Sequence, residues 1–219
     1  MQLLSLIVTL KIGICFIIFI IIPQTSLDLS MEKVNLYMLL LGCTPPGRHI
    51  EQHDIFFSIG TTLASLKPSI FEFWPEAGGK IHVDAWRSVN QVDGFQITVE
   101  EREPGQGFSG TGDEKLFFIN LGGYKRNEFE EFHYKMLAVG KDKSVAVQKS
   151  MKTSFYLHTG YDQANSHVDD KYGVDVDELY QIEDILPGAQ KEKYRIVVSH
   201  AAFPKEDEIF LGYFKLDKL

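Results

Sequence analysis

Apolar runs of strand length punctuate the chain at 35–42 and 115–122, each followed by a polar loop and a second strand-like segment, 53–60 and 133–140. Both second segments end on a glycine, Gly60 and Gly140. The first runs are too continuously apolar to alternate, which predicts strands buried on both faces. Helical spacing comes next in each case. Val147, Met151 and Phe155 recur every four residues and predict a helix over 144–156 with Ser144 as its cap. Leu66, Ile70, Phe73 and Trp74 predict a helix in which Pro68 occupies the first turn or breaks the segment. Strands are expected near 80–87 and 94–101, with poorer counterparts near 165–169 and 178–184, and the chain closes with 194–200 and 208–216. Runs of strands with one helix apiece, without β-α alternation, predict the α+β class.

The two halves share more than pattern. At an offset of 80 residues, Glu51 matches Glu131, His53 matches His133, and Gly60 matches Gly140. At an offset of 85, His82-Val-Asp84 matches His167-Val-Asp169, Val89 matches Val174, and Gln96-Ile97 matches Gln181-Ile182. The order and chemistry of these matches predict two pseudo-symmetric repeats sharing one compact core, 31–102 and 114–219, the second including the C-terminal strands. The Gly-rich stretch 103–113 between them holds a literal G-x-G-x-x-G, Gly105 to Gly110. A dinucleotide site needs a strand before that motif and a helix after it. Here the strand-like 115–120 follows, so the stretch reads as a turn.

Ahead of the repeats lies a different segment. From Leu3 to Ile22 the chain is almost wholly apolar, broken chiefly by Lys11. Its fifteen Leu, Ile, Val and Phe residues outweigh one central lysine on the membrane-insertion scale. If translated, 1–30 is a transmembrane helix outside the fold and the protein sits at the inner membrane. Met31 is an alternative start, and it leads to the preferred expectation of a cytoplasmic product.

Charge and cysteine content narrow the function. The formal net charge is −8 and no Lys/Arg run interrupts it, which argues against nucleic acid as a partner. The two cysteines are Cys15, inside the apolar run, and Cys43, at a strand end, so neither a disulfide framework nor a Cys-x-x-Cys metal motif is present. The acidic residues Asp169, Asp170, Asp175, Asp177 and Glu178 lack calcium-loop spacing and read as a solvated face.

The chemistry that remains is in paired histidines and carboxylates. Glu51 and His53 are two apart, as are His82 and Asp84, and residues two apart on a strand point to one face. Glu131 and His133, and His167 and Asp169, repeat the arrangement. Glu51, His53, His82 and Asp84 could hold zinc, manganese or iron. They could instead perform acid–base catalysis, or, most simply, brace a sheet edge by hydrogen bonds. The first copy is the richer, with Arg48, His49 and Arg87 beside its pairs and the two arginines able to grip an anion.

Leu36-Tyr-Met-Leu-Leu-Leu-Gly42, the Pro-Gly-Arg-His-x-Glu-x-His-Asp segment ending at Asp54, His82-Val-Asp-Ala-Trp-Arg87 and Val92-Asp-Gly-Phe95 together resemble the bacterial domain of unknown function numbered 1543. The resemblance covers 34–100 well and 115–184 more weakly, and it implies tandem copies of a short domain that opens near the initiator methionine. It implies no activity, cofactor or catalytic residue. The expectation is therefore a two-repeat protein that binds a small ligand or a divalent metal through the first-copy cluster. The alternatives are a metal-dependent hydrolase using the same residues and a non-catalytic interaction protein.

Overall fold

A computed structural model describes residues 33–102, 113–124, 127–153 and 176–219. Residues 33–219 form one compact unit. The apolar run 3–22, most of the linker 103–113, Phe155, His167 and Asp169 lie outside the described residues. Among the described residues no helix is long and apolar enough to cross a membrane.

The fold is α+β, rich in sheet. Strands β1 (Asn35–Cys43), β2 (Gln52–Gly60) and β3 (His82–Ser88) form an antiparallel sheet with β1 central. A second sheet has the same arrangement, with β6 (Lys115–Tyr124) between β7 (Glu131–Gly140) and β8 (Val176–Gln181). The registers agree at the offset of 80: Gly42 faces His53 and Leu36 faces Ile59, while Gly122 faces His133 and Leu116 faces Val139. A third sheet joins β4 (Gln91–Val92), β5 (Phe95–Glu101) and β9 (Tyr194–His200).

Strand alternation sorts the core into layers. Tyr37, Leu39, Leu41 and Cys43 point away from the second sheet and pack under helix α1 (Lys67–Phe73) with Leu66, Ile70 and Val83. Phe117, Ile119 and Leu121 do the same beneath helix α2 (Lys143–Ser150), against Ala146 and Val147. The opposite faces meet: Leu36, Phe57 and Ile59 pack on Leu116, Phe118, Leu137 and Val139, with the Phe57 and Phe118 rings 5.6 Å apart. The third sheet closes this central layer through Ile97 and Ile196.

Several local expectations change. Pro68 does lie in the first turn of α1, after a 3-10 turn over Leu63–Leu66 capped by Thr62. Helix α2 starts earlier than expected and is capped by Asp142, not Ser144; the Asp142 carboxylate accepts the Val145 N–H at 3.0 Å. The segment expected as a strand over 178–184 is a strand only to Gln181, because Ile182–Ile185 turns helical. Ile182 is therefore no counterpart of Ile97, which lies on β5 opposite Val198. The last strand, β10 (Phe210–Lys215), pairs with β3 and so completes the first sheet, although it follows the strands of the second sheet in sequence.

Two contacts lock the layers. The Asp93-Gly94 turn between β4 and β5 has φ of 54° and 81°, the left-handed pair that a tight two-residue hairpin requires. Its Asp93 carboxylate accepts the Val139 N–H at 2.9 Å and pairs with Lys149 at 2.8 Å. Gln190 reaches the open edge of β2, where its Oε1 accepts the Ile59 N–H at 2.7 Å and its Nε2 donates to the Ile59 carbonyl at 3.0 Å.

Candidate functional site

Glu51, His53, His82 and Asp84 converge at one end of the first sheet. The register explains how: Gly42 on β1 has His53 beside it on β2 and His82 beside it on β3. Residues directly opposed across antiparallel strands share a face, so the two imidazoles flank the glycine on the side turned toward the second sheet. Asp84 comes from a different device. The β1–β3 pairing slips between Leu40 and Leu41, pairing them with Ala85 and Val83, so Asp84 is the extra residue of a β-bulge. A bulge re-aims a side chain, and here the carboxylate joins the two imidazoles.

The four groups alternate in a closed ring. His53 Nε2 lies 3.6 Å from Glu51 Oε2 and 3.2 Å from Asp84 Oδ2. His82 Nε2 lies 3.1 Å from Glu51 Oε1 and 3.2 Å from Asp84 Oδ1. His82 is buried, with 7% of its side chain exposed, and its ring packs on Tyr213 with centroids 4.2 Å apart. Despite the short distances, His82 Nε2 and Asp84 Oδ2 have no partner of hydrogen-bond geometry. A buried polar atom left so costs about 1–3 kcal/mol.

Gly42 leaves room for this arrangement. A Cβ there would fall 2.4 Å from Asp84 Oδ2 and 2.5 Å from His82 Nε2. The residue is glycine for space, since its backbone is ordinary strand.

The second sheet repeats the device with fewer groups. Its pairing slips between Asn120 and Leu121, which makes Asp177 the extra residue there. Glu131, His133 and Asp177 can each bring one ligand atom within 4.8 Å of the others, and His133 Nε2 lies 3.2 Å from Asp177 Oδ2. A Cβ on Gly122 would fall 2.4 Å from Asp177 Oδ2. Val83-Asp84 thus corresponds in register to Val176-Asp177 (an offset of 93, not 85), so β8 places Asp177 where the sequence suggested Asp169. The matching signal was the dipeptide Val-Asp. It occurs three times in 167–177, and sequence alone cannot say which copy enters the strand.

The other expected site residues are not drawn in. Arg48 and His49 lie exposed on the loop between β1 and β2, with no ion pair to the cluster. Arg87 sits on β3 opposite Met38, farther along the inner face, and burial pushes its guanidinium down despite Asp207 nearby.

Sequence reasoning missed the cleft beside the cluster. A cavity of about 570 Å³ runs between the sheets, with His53 and His133 on its wall together with Asp54, Asn120, Lys135 and Glu178. Burial pushes the Asp54 carboxyl up and Glu178 adds to this, while the Ile55 N–H and Lys135 oppose it. Burial pushes the Lys135 ammonium down, against the pull of Glu178 and Asp54. Lys135 occupies an inner-face position that its neighbours' pattern does not mark as special.

The model of a domain of unknown function, DUF1543, matches residues 48–99, a span that contains Glu51, His53, His82 and Asp84. The fold is similar to the crystal structure of a protein, Il1583, from Idiomarina loihiensis. The TM-score is 0.54 at 18% identity, covering 84% of this chain and 97% of the other. No curated protein matches the sequence. These likenesses concern family and fold and carry no activity.

Proposed function

We propose that this protein binds a divalent transition-metal ion, zinc being the reference case, through Glu51, His53, His82 and Asp84. The observation that carries the reading is the ring of contacts around the buried His82. Metal–ligand bonds of about 2.0–2.2 Å in a tetrahedron separate neighbouring ligand atoms by about 3.3–3.6 Å. The four observed contacts, 3.1, 3.2, 3.2 and 3.6 Å, run from just below that range to its upper end, with each carboxylate meeting the two imidazoles through different oxygens, so a small turn of each carboxylate would bring one oxygen onto a shared ion. One imidazole N–H cannot serve two carboxylates well, and the misaligned, unpartnered His82 Nε2 and Asp84 Oδ2 suit a shared cation better than mutual hydrogen bonds. A cation also relieves the repulsion of two adjacent carboxylates. Imidazole and carboxylate donors without sulfur favour zinc, manganese or iron.

The matching registers of the two sheets support a duplicated unit in which the first half carries the fuller donor set. A cytoplasmic location goes with this reading, and cell fractionation tests it.

The test is metal content of the protein purified without a metal-binding tag, by elemental mass spectrometry. The expected result is about one transition-metal ion per chain, lost in His53→Ala and in His82→Ala. Absence of metal, together with a lower melting temperature in both variants, would instead make the pairs a brace for the sheet end.

A second reading, a metal-dependent hydrolase, is favoured by the cavity that His53 borders. In this reading three of the four side chains would hold the ion and leave a position open to the cavity, where the metal would supply an activated water as nucleophile. Hydrolysis of p-nitrophenyl esters that appears with added zinc or manganese and disappears in Asp84→Asn is the expected outcome, and equal rates with and without metal would contradict it.

A further inference from the structure

A second cavity, of about 480 Å³, adjoins the first: Ile55 and Lys135 line both. Its wall combines apolar side chains (Met38, Leu40, Leu137) with two cations that come from opposing sheets, Arg87 on β3 and Lys135 on β7. Among the described residues neither cation has a carboxylate within ion-pairing distance, while four other Lys/Arg side chains do: Arg102, Lys149, Lys193 and Arg195.

The nearby acids are otherwise engaged. Asp207 accepts the N–H groups of Asn90 and Gln91 at 2.8 and 3.0 Å. Asp93 accepts the Val139 N–H at 2.9 Å and pairs with Lys149 at 2.8 Å. Across the shared wall, Asp54 accepts the Ile55 N–H at 2.7 Å and Glu178 accepts from Asn120 at 2.7 Å. Glu206 is exposed at the rim. These hydrogen bonds fix the carboxylates in place without cancelling their charge: Asp207 still attracts Arg87, and Glu178 and Asp54 still attract Lys135, but none of them closes an ion pair with either cation. Cations drawn partly out of water without a direct ion pair are costly, and a cavity with apolar walls and a few convergent polar groups is the usual form of a small-molecule site.

We propose that the cleft between the two sheets binds a small organic anion, its carboxylate or phosphate held by Arg87 and Lys135 and its apolar body lying against Met38, Leu40 and Leu137. The guanidinium offers the two-pronged contact that planar oxyanions accept, and the ammonium adds a point charge from the facing sheet. This site is separate from the metal ligands and stands whether or not a metal binds.

The test is isothermal titration of the protein with benzoate, phenyl phosphate and benzylamine, each with and without EDTA, in the wild type, Lys135→Met and Arg87→Met. The expected result is saturable binding of at least one anion, unaffected by EDTA, no binding of benzylamine, and affinity at least tenfold weaker in each variant. Preference between benzoate and phenyl phosphate identifies the headgroup. Lys135→Met is expected to remain folded, since Lys135 makes no direct ion pair, and its melting temperature is measured alongside the titrations. If a methionine variant fails to fold, K135Q and R87Q are read in its place. No saturable anion binding, equal binding of benzylamine, loss of binding with EDTA, or undiminished affinity in the variants would each overturn the proposal.

Discussion

Replacing Gly42 by alanine adds one methyl group at the floor of the candidate metal site, and the consequence can be worked from distances. The new Cβ would sit 2.4 Å from Asp84 Oδ2 and 2.5 Å from His82 Nε2, both roughly 1 Å closer than ordinary contact with carbon allows. Neither group can retreat cheaply. Asp84 is held by the bulge and His82 is buried against Tyr213. Relief therefore requires the carboxylate and the imidazole to swing apart by about 1 Å, whereas a metal site tolerates only about 0.2 Å in its bond lengths. The expected loss of zinc affinity is 10²-fold or more, larger than the 10–100-fold typical of disturbing groups that merely support the ligands. Overpacking should lower metal-free stability by about 1–3 kcal/mol. The assay is zinc competition against a chromophoric chelator, paired with urea unfolding of the metal-free protein. Gly122→Ala is the internal control, because it crowds Asp177 on the second sheet and should leave first-site affinity intact. Wild-type zinc affinity in Gly42→Ala would refute the geometric reasoning.

Other consequences follow from the same structure. Zinc at 100 times its dissociation constant should stabilise the fold by about 2.7 kcal/mol and raise the melting temperature by about 5–11 °C, a gain that calorimetry should find absent in His82→Ala. Gln190→Ala removes the clamp on Ser58 and Ile59 and should cost about 2 kcal/mol in urea unfolding without changing zinc affinity. Cys43 is buried, and burial followed by the Glu51 charge pushes its thiol up, against Lys80. The sign is that of a raised group: the fold favours the protonated thiol, stability is full below the ordinary thiol range, and it declines as pH rises through the higher folded value. Labelling of native Cys43 by a thiol reagent should accordingly be slow at neutral pH and quicken under alkaline or denaturing conditions, and rapid labelling of the native protein would contradict the burial.

What was legible in the sequence had a local physical signature. The strands β1 and β6 are carried by long apolar runs, β2 and β7 end at Gly60 and Gly140, and their pairing follows the offset visible between Glu51–His53 and Glu131–His133. The cluster itself was legible because strand alternation puts residues two apart on one face. Less legible was anything decided by tertiary pairing. The bulges that aim Asp84 and Asp177 depend on how β3 and β8 lie against their central strands, so the place of Asp177 beside His133 could not be read from a Val-Asp dipeptide that recurs through 168–177. The recruitment of β10 to the first sheet is a long-range choice that no local pattern encodes. The steric need for Gly42 and Gly122 was hidden for a similar reason: both look like ordinary strand ends until the ligand atoms above them are placed.

The most direct test of the central claim is X-ray absorption at the zinc edge on protein carrying one equivalent of zinc. The account predicts a first shell of nitrogen and oxygen only, at about 2.0–2.2 Å, with multiple scattering from two imidazoles. A shell of water oxygens alone, a sulfur contribution, or zinc that does not stay with the protein on gel filtration would contradict it.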